Sequence, residues 1–337
     1  MDVFLVKGLV EELEKLKNKR VKKVQTLGEG KYRIRIGEED LIVEIGKRIY
    51  LSSYKVSGEK DGFSEFLKKV FENKILKDVY QKFFDRVIVF SFENGNLIVE
   101  AFSHWNLIVT DPEFNILKAY MEESWKDREI KVGQKYVFPK KEVPKEFEEF
   151  KERFSKEKSA FYDILEILNL PPAYVEEMCF KAGINKNESI GEASLKKVWD
   201  VWEEFLKKEI KPCVQSGNLF AFELETKGKI EKSFESVSKA LEGFFEEEDL
   251  EKQKILRKLE MQKKALEALE KEIREMQVKA FWMEMNRKIL EDAIKLAKEN
   301  KLEELGKLGF SKKGKYIIKN LDEEALVDYY NIADSEN

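Results

Sequence analysis

The chain carries one histidine, His104, and two cysteines, Cys179 and Cys213, in 337 residues. A zinc site needing two His is therefore excluded, and a Ser-His or Cys-His device would have to use His104. No CxxC pair exists, which removes zinc knuckles and ribbons. Two cysteines do not make a disulfide framework. With 17 Gly and 6 Pro, the chain is poor in the residues of a long disordered linker. No GxSxG surrounds a serine, and neither a P-loop nor a GxGxxG-to-helix unit occurs. Phosphate-cradling nucleotide binding has no support, and no cofactor is implied. No apolar run approaches the roughly 18 residues of a membrane span. The opening MDVFLVKGLVEELEKL breaks into charge without a signal-peptide core. The expectation is a soluble, cytoplasmic protein with no membrane partner.

What the chain has is charge and aromatic bulk. Acids outnumber bases 66 to 62, a formal net charge of −4. That near-balance argues against nucleic-acid binding by bulk positive charge and leaves a local basic face open. The 24 Phe, 11 Tyr and 5 Trp suffice for more than one packed core. The wealth of Lys and Glu, with little Cys or His, fits a thermophile's composition.

Hydrophobic spacing predicts an amphipathic helix over 3–17. From 21 to 56 the period falls to two, and Gly28, Gly30, Gly37 and Gly46 break short segments into an antiparallel meander. Helical spacing returns over 63–77, with Ser64 or Asp61 as N-cap. Strands are expected at 84–92, 96–102 and 105–110, with Asn94-Gly95 as a hairpin signal. Asp111-Pro112 marks a turn, and VGQKYVFP closes this half. Residues 160–208 read as helices, with Leu170-Pro171-Pro172 as a hairpin and Gly183 as a C-cap. Strands follow around the Ser216-Gly217 turn and are expected to rejoin an earlier sheet. From Leu259 to Met283 the pattern is that of a coiled coil. Leu266, Leu269, Ile273, Met276, Ala280 and Met283 are spaced 3-4-3-4-3. The stretch 285–300 is the nearest candidate for an antiparallel return helix. The expected division is a β-rich domain at 1–148, a helical module at 149–211, and returning strands at 212–240. A coiled coil at 241–303 and a small segment at 304–337 complete it.

Candidate site residues each have a plain structural alternative. Asp85-Arg86 starts an apolar strand, where a charged pair is a solvated edge or a turn cap. The functional alternative is an Arg aimed at phosphate or a base edge, with Asp85 holding its guanidinium. Neighbouring residues do not decide between them. Strand period places Glu100, Phe102 and His104 on one face, with Trp105 and Asn106 behind. A lone His beside a Trp is more often packed than catalytic. Basic clusters at 17–23, at Lys68-Lys69 and at 207–211 read singly as solvated faces. Gathered on one side, they would track phosphates. The Leu170-Pro171-Pro172 turn is similar to a helix-hairpin-helix, but prolines offer no amide to a nucleic-acid backbone, which favours a structural hairpin.

The order of these blocks resembles the NFACT family, which includes RqcH proteins and those named fibronectin-binding protein A. The matching blocks are MDVFLVKGLVEELEKLKNKRVKKV, the 63–92 stretch with Gln81, Asp85 and Arg86, then NLIVEAFSHWNLIVTD and VGQKYVFP. LPPAYVEEMCFKAGI and FESVSKALEGFFEEEDLEKQK follow in order, so the resemblance spans about residues 1–285. It implies an α+β multidomain fold. The N-terminal part is a β-sandwich with flanking helices, like the N-terminal domain of formamidopyrimidine-DNA glycosylases. A helix-hairpin-helix module and an antiparallel coiled coil come after it. It also implies a non-enzymatic role in ribosome quality control. Such a protein binds tRNA and the obstructed large ribosomal subunit and supports C-terminal tailing of stalled chains. Carried over by position, Asp85 and Arg86 would engage tRNA. Glu100, His104 and Asn106 occupy the family's second element, and Lys68 and Lys69 are candidate RNA contacts.

His104 stands where the family more often has Arg or Lys, and Ser103 where Gly is usual. Nothing after residue 300 resembles the family's C-terminal RNA-binding segments, which places complete tailing in doubt. Competing readings are a coiled-coil interaction module without an RNA role, which leaves self-association through the seam open, and a glycosylase-like DNA-binding protein. The latter is opposed by Met1-Asp2-Val3 where those enzymes begin Pro-Glu. A surface adhesin has no signal peptide behind it.

Overall fold

The first helix, α1 (Val3–Leu13), is apolar almost all round, and its first turns are accordingly buried. Asp2 starts it by accepting the N–H groups of Phe4 and Leu5, each at 2.9 Å. Gly8 is needed for close approach: a Cβ there would lie 2.6 Å from Ile210 Cγ2. This computed structural model describes residues 1–54, 57–125, 128–139, 142–155 and 158–319. The described chain divides into two compact units, Met1–Glu248 and Asp249–Asn337.

In the first unit, β1 (Val21–Gly28), β2 (Lys31–Ile36), β3 (Glu39–Glu44) and β4 (Arg48–Leu51) form the expected four-stranded antiparallel meander. Helix α2 (Gly62–Phe71) follows, capped by Asp61 in a reciprocal box with Ser64. The expected helix over 63–77 is too long. Asn73 turns left-handed at φ 66°, and Leu76 already pairs with Phe92. That pairing belongs to β5 (Leu76–Gln81), a strand the periodicity hid. With β6 (Val87–Phe92), β7 (Gly95–Glu100), β8 (Asn106–Thr110) and β9 (Ile116–Ala119) it makes a five-stranded antiparallel sheet in sequence order. The hairpin at Asn94-Gly95 is present, with Phe92 paired to Gly95. Gly95 is required because a Cβ would sit 2.2 Å from the Thr110 carbonyl oxygen.

The two sheets share one core, so the N-terminal half is a sandwich with helices against it. Ile88, Phe90, Leu97, Val99, Leu107 and Val109 face that core. Val87, Val89, Ile98 and Ile108 face a second core closed by Ile116, Ile130 and Tyr136. Burial on both faces explains why these strands read as unbroken apolar runs. A small hairpin, β10 (Glu123–Trp125) and β11 (Arg128–Ile130), lies beside them in sequence and was not expected.

Helices α3 (Phe147–Arg153), α4 (Ala160–Leu168), α5 (Pro172–Ala182) and α6 (Glu192–Lys207) continue the main core. Asn169 ends α4 in the left-handed region at φ 54°, and Gly183 ends α5 at φ 65°. The late strands do not rejoin an earlier sheet. β12 (Cys213–Gln215), β13 (Asn218–Phe220) and β14 (Lys232–Ser233) form a separate three-stranded sheet, ordered β13-β12-β14. Both edges of β12 are already taken, by β13 on one side and β14 on the other, so neither is left for a strand of an earlier sheet.

Helix α7 (Val237–Met285) spans 49 residues. Its start is fixed to the sandwich. The Glu12 carboxylate accepts the N–H groups of Val237 and Ser238. Arg48 donates to the carbonyls of Leu241 and Glu242 at 3.2 and 2.8 Å.

In the second unit, α8 (Arg287–Lys298), α9 (Leu302–Lys307), β15 (Phe310–Lys313) and β16 (Tyr316–Lys319) follow. Ala293, Ala297, Leu305 and Phe310 pack with Trp282 in a small core. A helix does stand in the expected 285–300 stretch, as α8, but it packs Ala293 and Ala297 with Trp282 at the end of α7 and leaves the seam exposed, so it is not the expected partner of the seam. Residues 320–337 of the expected C-terminal segment lie outside the described residues.

Phe4 is fully buried, with the rings of Phe84, Tyr174 and Phe222 within 5.1–5.2 Å. Phe4→Ala is expected to cost about 3–5 kcal/mol. Urea unfolding of the full chain would register this as a lower midpoint at an unchanged m-value.

Candidate functional site

The turn from β5 to β6 places two phenylalanines, Phe83 and Phe84, in left-handed backbone at φ 55° and 54°. Each such residue costs about 1–2 kcal/mol. The turn is closed by Asp85 N–H donating to the Lys82 carbonyl at 3.0 Å. Ring packing offsets the strain. Phe84 lies 5.2 Å from Phe4 and 5.4 Å from Trp202, while Lys82 Nζ sits 4.3 Å above the Phe83 ring. The residues that follow, Asp85 and Arg86, are therefore held by a rigid, strained turn.

Asp85 is buried and does not hold the Arg86 guanidinium, contrary to expectation. Its Oδ1 accepts the Arg86 backbone N–H at 2.7 Å and Asn169 Nδ2 at 2.9 Å. Gln81 Nε2 donates to the Asp85 carbonyl at 2.9 Å and to the Val3 carbonyl at 3.0 Å. A buried carboxylate attracts the nearest obligatory donors, and here those are a backbone amide and an asparagine. The side chain of Arg86 is left to stack on Phe102, 5.3 Å from the ring centroid. No carboxylate pairs with it among the described residues.

Arg86 lines a cleft of about 560 Å³. Asp2, Asn169, Pro171, Tyr174 and Phe245 also face it. The Tyr174 hydroxyl donates to Asp2 Oδ2 at 3.0 Å and accepts Ala221 N–H at 2.9 Å. Burial pushes the Asp2 carboxyl above its ordinary range, against the opposing hydrogen bonds from Leu5, Tyr174 and Phe4. It pushes the Tyr174 hydroxyl well up too, with the Asp2 charge adding to the effect. A cation on an aromatic floor, beside an apolar wall and a few polar groups, suits a ligand with one anionic and one flat or apolar part.

The other candidates do not join this cleft. Glu100 is 1% exposed, at the end of β7. It accepts hydrogen bonds from Arg128 and from the Tyr136 hydroxyl. Desolvation raises its pKa, opposed by the Arg128 charge. Tyr136 is raised by burial and by Glu100. Glu100 and His104 do not share a strand face, because β7 ends at Glu100 and residues 101–105 form a loop. His104 is exposed on that loop. Asn106 is fully buried and pins a neighbouring turn: Nδ2 donates to the Met121 carbonyl at 2.8 Å, and Oδ1 accepts Met121 N–H at 3.1 Å. Lys68 and Lys69 sit in the last turn of α2, with Lys68 3.9 Å from Glu72. Neither lines the cleft.

Sequence reasoning missed Asp2, Asn169 and Tyr174 at the cleft and Arg128 and Tyr136 beside Glu100. Asp2 was readable as an N-cap ahead of an apolar run. The pairing of Asn169 with Asp85, 84 residues apart, carries no local signal.

Comparison with known proteins supplies the wider frame. The archaeal Rqc2 homolog aRqcH of Methanocaldococcus jannaschii is 26% identical over 348 aligned positions, 86% of this chain. The chain spans about half the length of that relative, 51%. The N-terminal part of the fibronectin/fibrinogen-binding protein from Streptococcus suis superposes with a TM-score of 0.61 at 20% identity. That match covers 74% of this chain and 99% of the other. The fibrinogen binding protein from Staphylococcus aureus gives 0.59 at 17% identity, covering 72% and 98%. The family model for the NFACT N-terminal and middle domains matches residues 2–305, and the chain belongs to that family.

Proposed function

We propose that this chain is a cytoplasmic ribosome quality-control factor that binds tRNA on the obstructed large ribosomal subunit. It acts by binding rather than by catalysis, and in that way supports tailing of the stalled nascent chain. Family membership and the relative named as an Rqc2 homolog support the general role. The observation that carries the RNA reading is Arg86. Its guanidinium has no carboxylate partner among the described residues, stacks on Phe102, and stands at the rim of an aromatic-lined cleft.

The division of labour follows from burial. Arg86 meets a phosphate or base edge. Asp85 positions it through the backbone amide. Glu100 is too deeply buried to touch RNA and instead holds Arg128, whose side chain is 15% exposed.

Binding of the full chain to purified tRNA, and to large subunits carrying peptidyl-tRNA, should be measured across a salt series. Arg86→Ala is expected to weaken binding by about 1–3 kcal/mol and reduce the salt slope by about one. Equal affinity of wild type and variant at every salt concentration would overturn the assignment.

Glu100→Ala should behave differently. It strands the largely buried Arg128 charge, a loss of about 3–5 kcal/mol in stability. Thermal unfolding would report that loss, while the salt slope of the folded fraction stays at the wild-type value.

A further inference from the structure

A tight turn with both central residues at positive φ suits Asn and Gly and opposes bulky side chains. The turn from Lys82 to Asp85 has this form, closed by Asp85 N–H donating to the Lys82 carbonyl at 3.0 Å. Its central residues are nonetheless Phe83 and Phe84, at φ 55° and 54°. Turn chemistry broken in this way points to a local role beyond folding.

Phe84 has a structural reason to be there. Its ring packs on the main core, 5.2 Å from Phe4 and 5.4 Å from Trp202. Phe83 lacks that packing. Among the described residues its ring meets one other, Phe138, at 6.2 Å. What these two rings share is Lys82, whose Nζ lies 4.3 Å from the Phe83 centroid and 4.9 Å from that of Phe138. The strained residue thus helps to hold an ammonium.

Arg86 stands at the other foot of the turn. Lys82 N–H donates to the Val87 carbonyl at 3.0 Å, which sets Lys82 across from the residue that follows Arg86. Arg86 also rests on a ring, Phe102, and both Phe102 and Phe138 pack on the second core. One turn therefore presents two cations on aromatic floors from the same core. A ring beneath a cation directs it without neutralising it, as a carboxylate would. The acid between them, Asp85, is buried and occupied by the Arg86 amide and Asn169.

We propose that Lys82 is a second phosphate contact, next to Arg86, on the backbone of the RNA that the first unit binds. This rests on the tRNA reading of Arg86. The roles differ by shape: Arg86 offers a planar fork, and Lys82 a point charge suited to a single phosphate. Lys82 does not line the cleft, so the pair directs the RNA backbone away from the Arg86 contact and over the turn, toward Phe138.

The test is tRNA binding by the full chain across a salt series. Lys82→Gln keeps a stem over the rings and removes the charge. It is expected to lower affinity about five- to eightfold near 0.1 M salt and to reduce the slope of log K on log salt by about 0.7–0.9. Lys82→Arg should restore both values. Combining Lys82→Gln with Arg86→Ala should reduce the slope by about twice the single-variant amount. Phe83→Asn tolerates the left-handed backbone and removes one floor, so affinity should fall about two- to fivefold while the slope, set by charge, stays. The thermal midpoint of Lys82→Gln should match wild type. If Arg86→Ala weakens binding while Lys82→Gln equals wild type in affinity and slope, this proposal fails and the tRNA reading stands. If neither variant differs from wild type, both fail. A lowered thermal midpoint in Lys82→Gln, or no rescue by Lys82→Arg, makes Lys82 part of the turn's structure alone and overturns the proposal.

Discussion

The aromatic cluster around Phe4 is the constraint on which the rest of the first unit depends. Phe4 meets Phe84 from the β5–β6 turn, Tyr174 from α5, Trp202 and Phe205 from α6, and Phe222 after β13. One buried ring thus ties the sandwich to the helical module. The cluster stabilises the left-handed Phe84, which local sterics oppose. It also sets the end of α4 against that turn, so that Asn169 reaches Asp85. The cleft is a by-product of this packing: its wall comes from the helical module, and its cation comes from the strained turn.

Two acid–base pairs show how burial decides the fate of a charge. Glu100 and Arg128 are both largely buried, so their mutual attraction is used to tolerate desolvation. Asp85 and Arg86 are adjacent in sequence yet do not pair through their side chains. Asp85 is buried and is satisfied by an amide and by Asn169, while Arg86 reaches the cleft. A guanidinium whose carboxylate neighbour is already occupied keeps its full capacity for an incoming anion. The same residue types therefore yield a structural pair in one place and an available cation in the other.

Elements governed by local spacing were legible in the sequence. The β1–β4 meander, the Asn94-Gly95 hairpin, the Asp61 cap and the Gly183 stop rest on turn and capping chemistry within a few residues. Elements governed by distant contacts were not. The helical reading ran on to residue 77 and so hid the start of Leu76–Gln81, whose pairing with β6 makes it a strand. The late strands looked like sheet additions because a short strand's sequence does not say whose edge it joins. At the site, Asp85 and Arg86 could be singled out by position, but not their separate roles. Those depend on Gln81, Asn169 and Phe102 converging from three elements. Glu100 and Asn106 became candidates only through their positions in the family's second element. Burial turns both into internal fasteners.

The long helix connects these arguments. Its first turns belong to the first unit, where Arg48 and Glu12 hold the backbone and Phe244 and Phe245 line the same cleft as Arg86. An occupant of the cleft would touch the beginning of the helix whose later heptads form the exposed seam. Arg48 and Glu12 fix the first turns of the helix against the sandwich. The grip is built from buried charge donating to helix carbonyls, an interaction whose cost is recovered only while the helix is docked. Sandwich, cleft and helix are therefore linked through the first turns of α7.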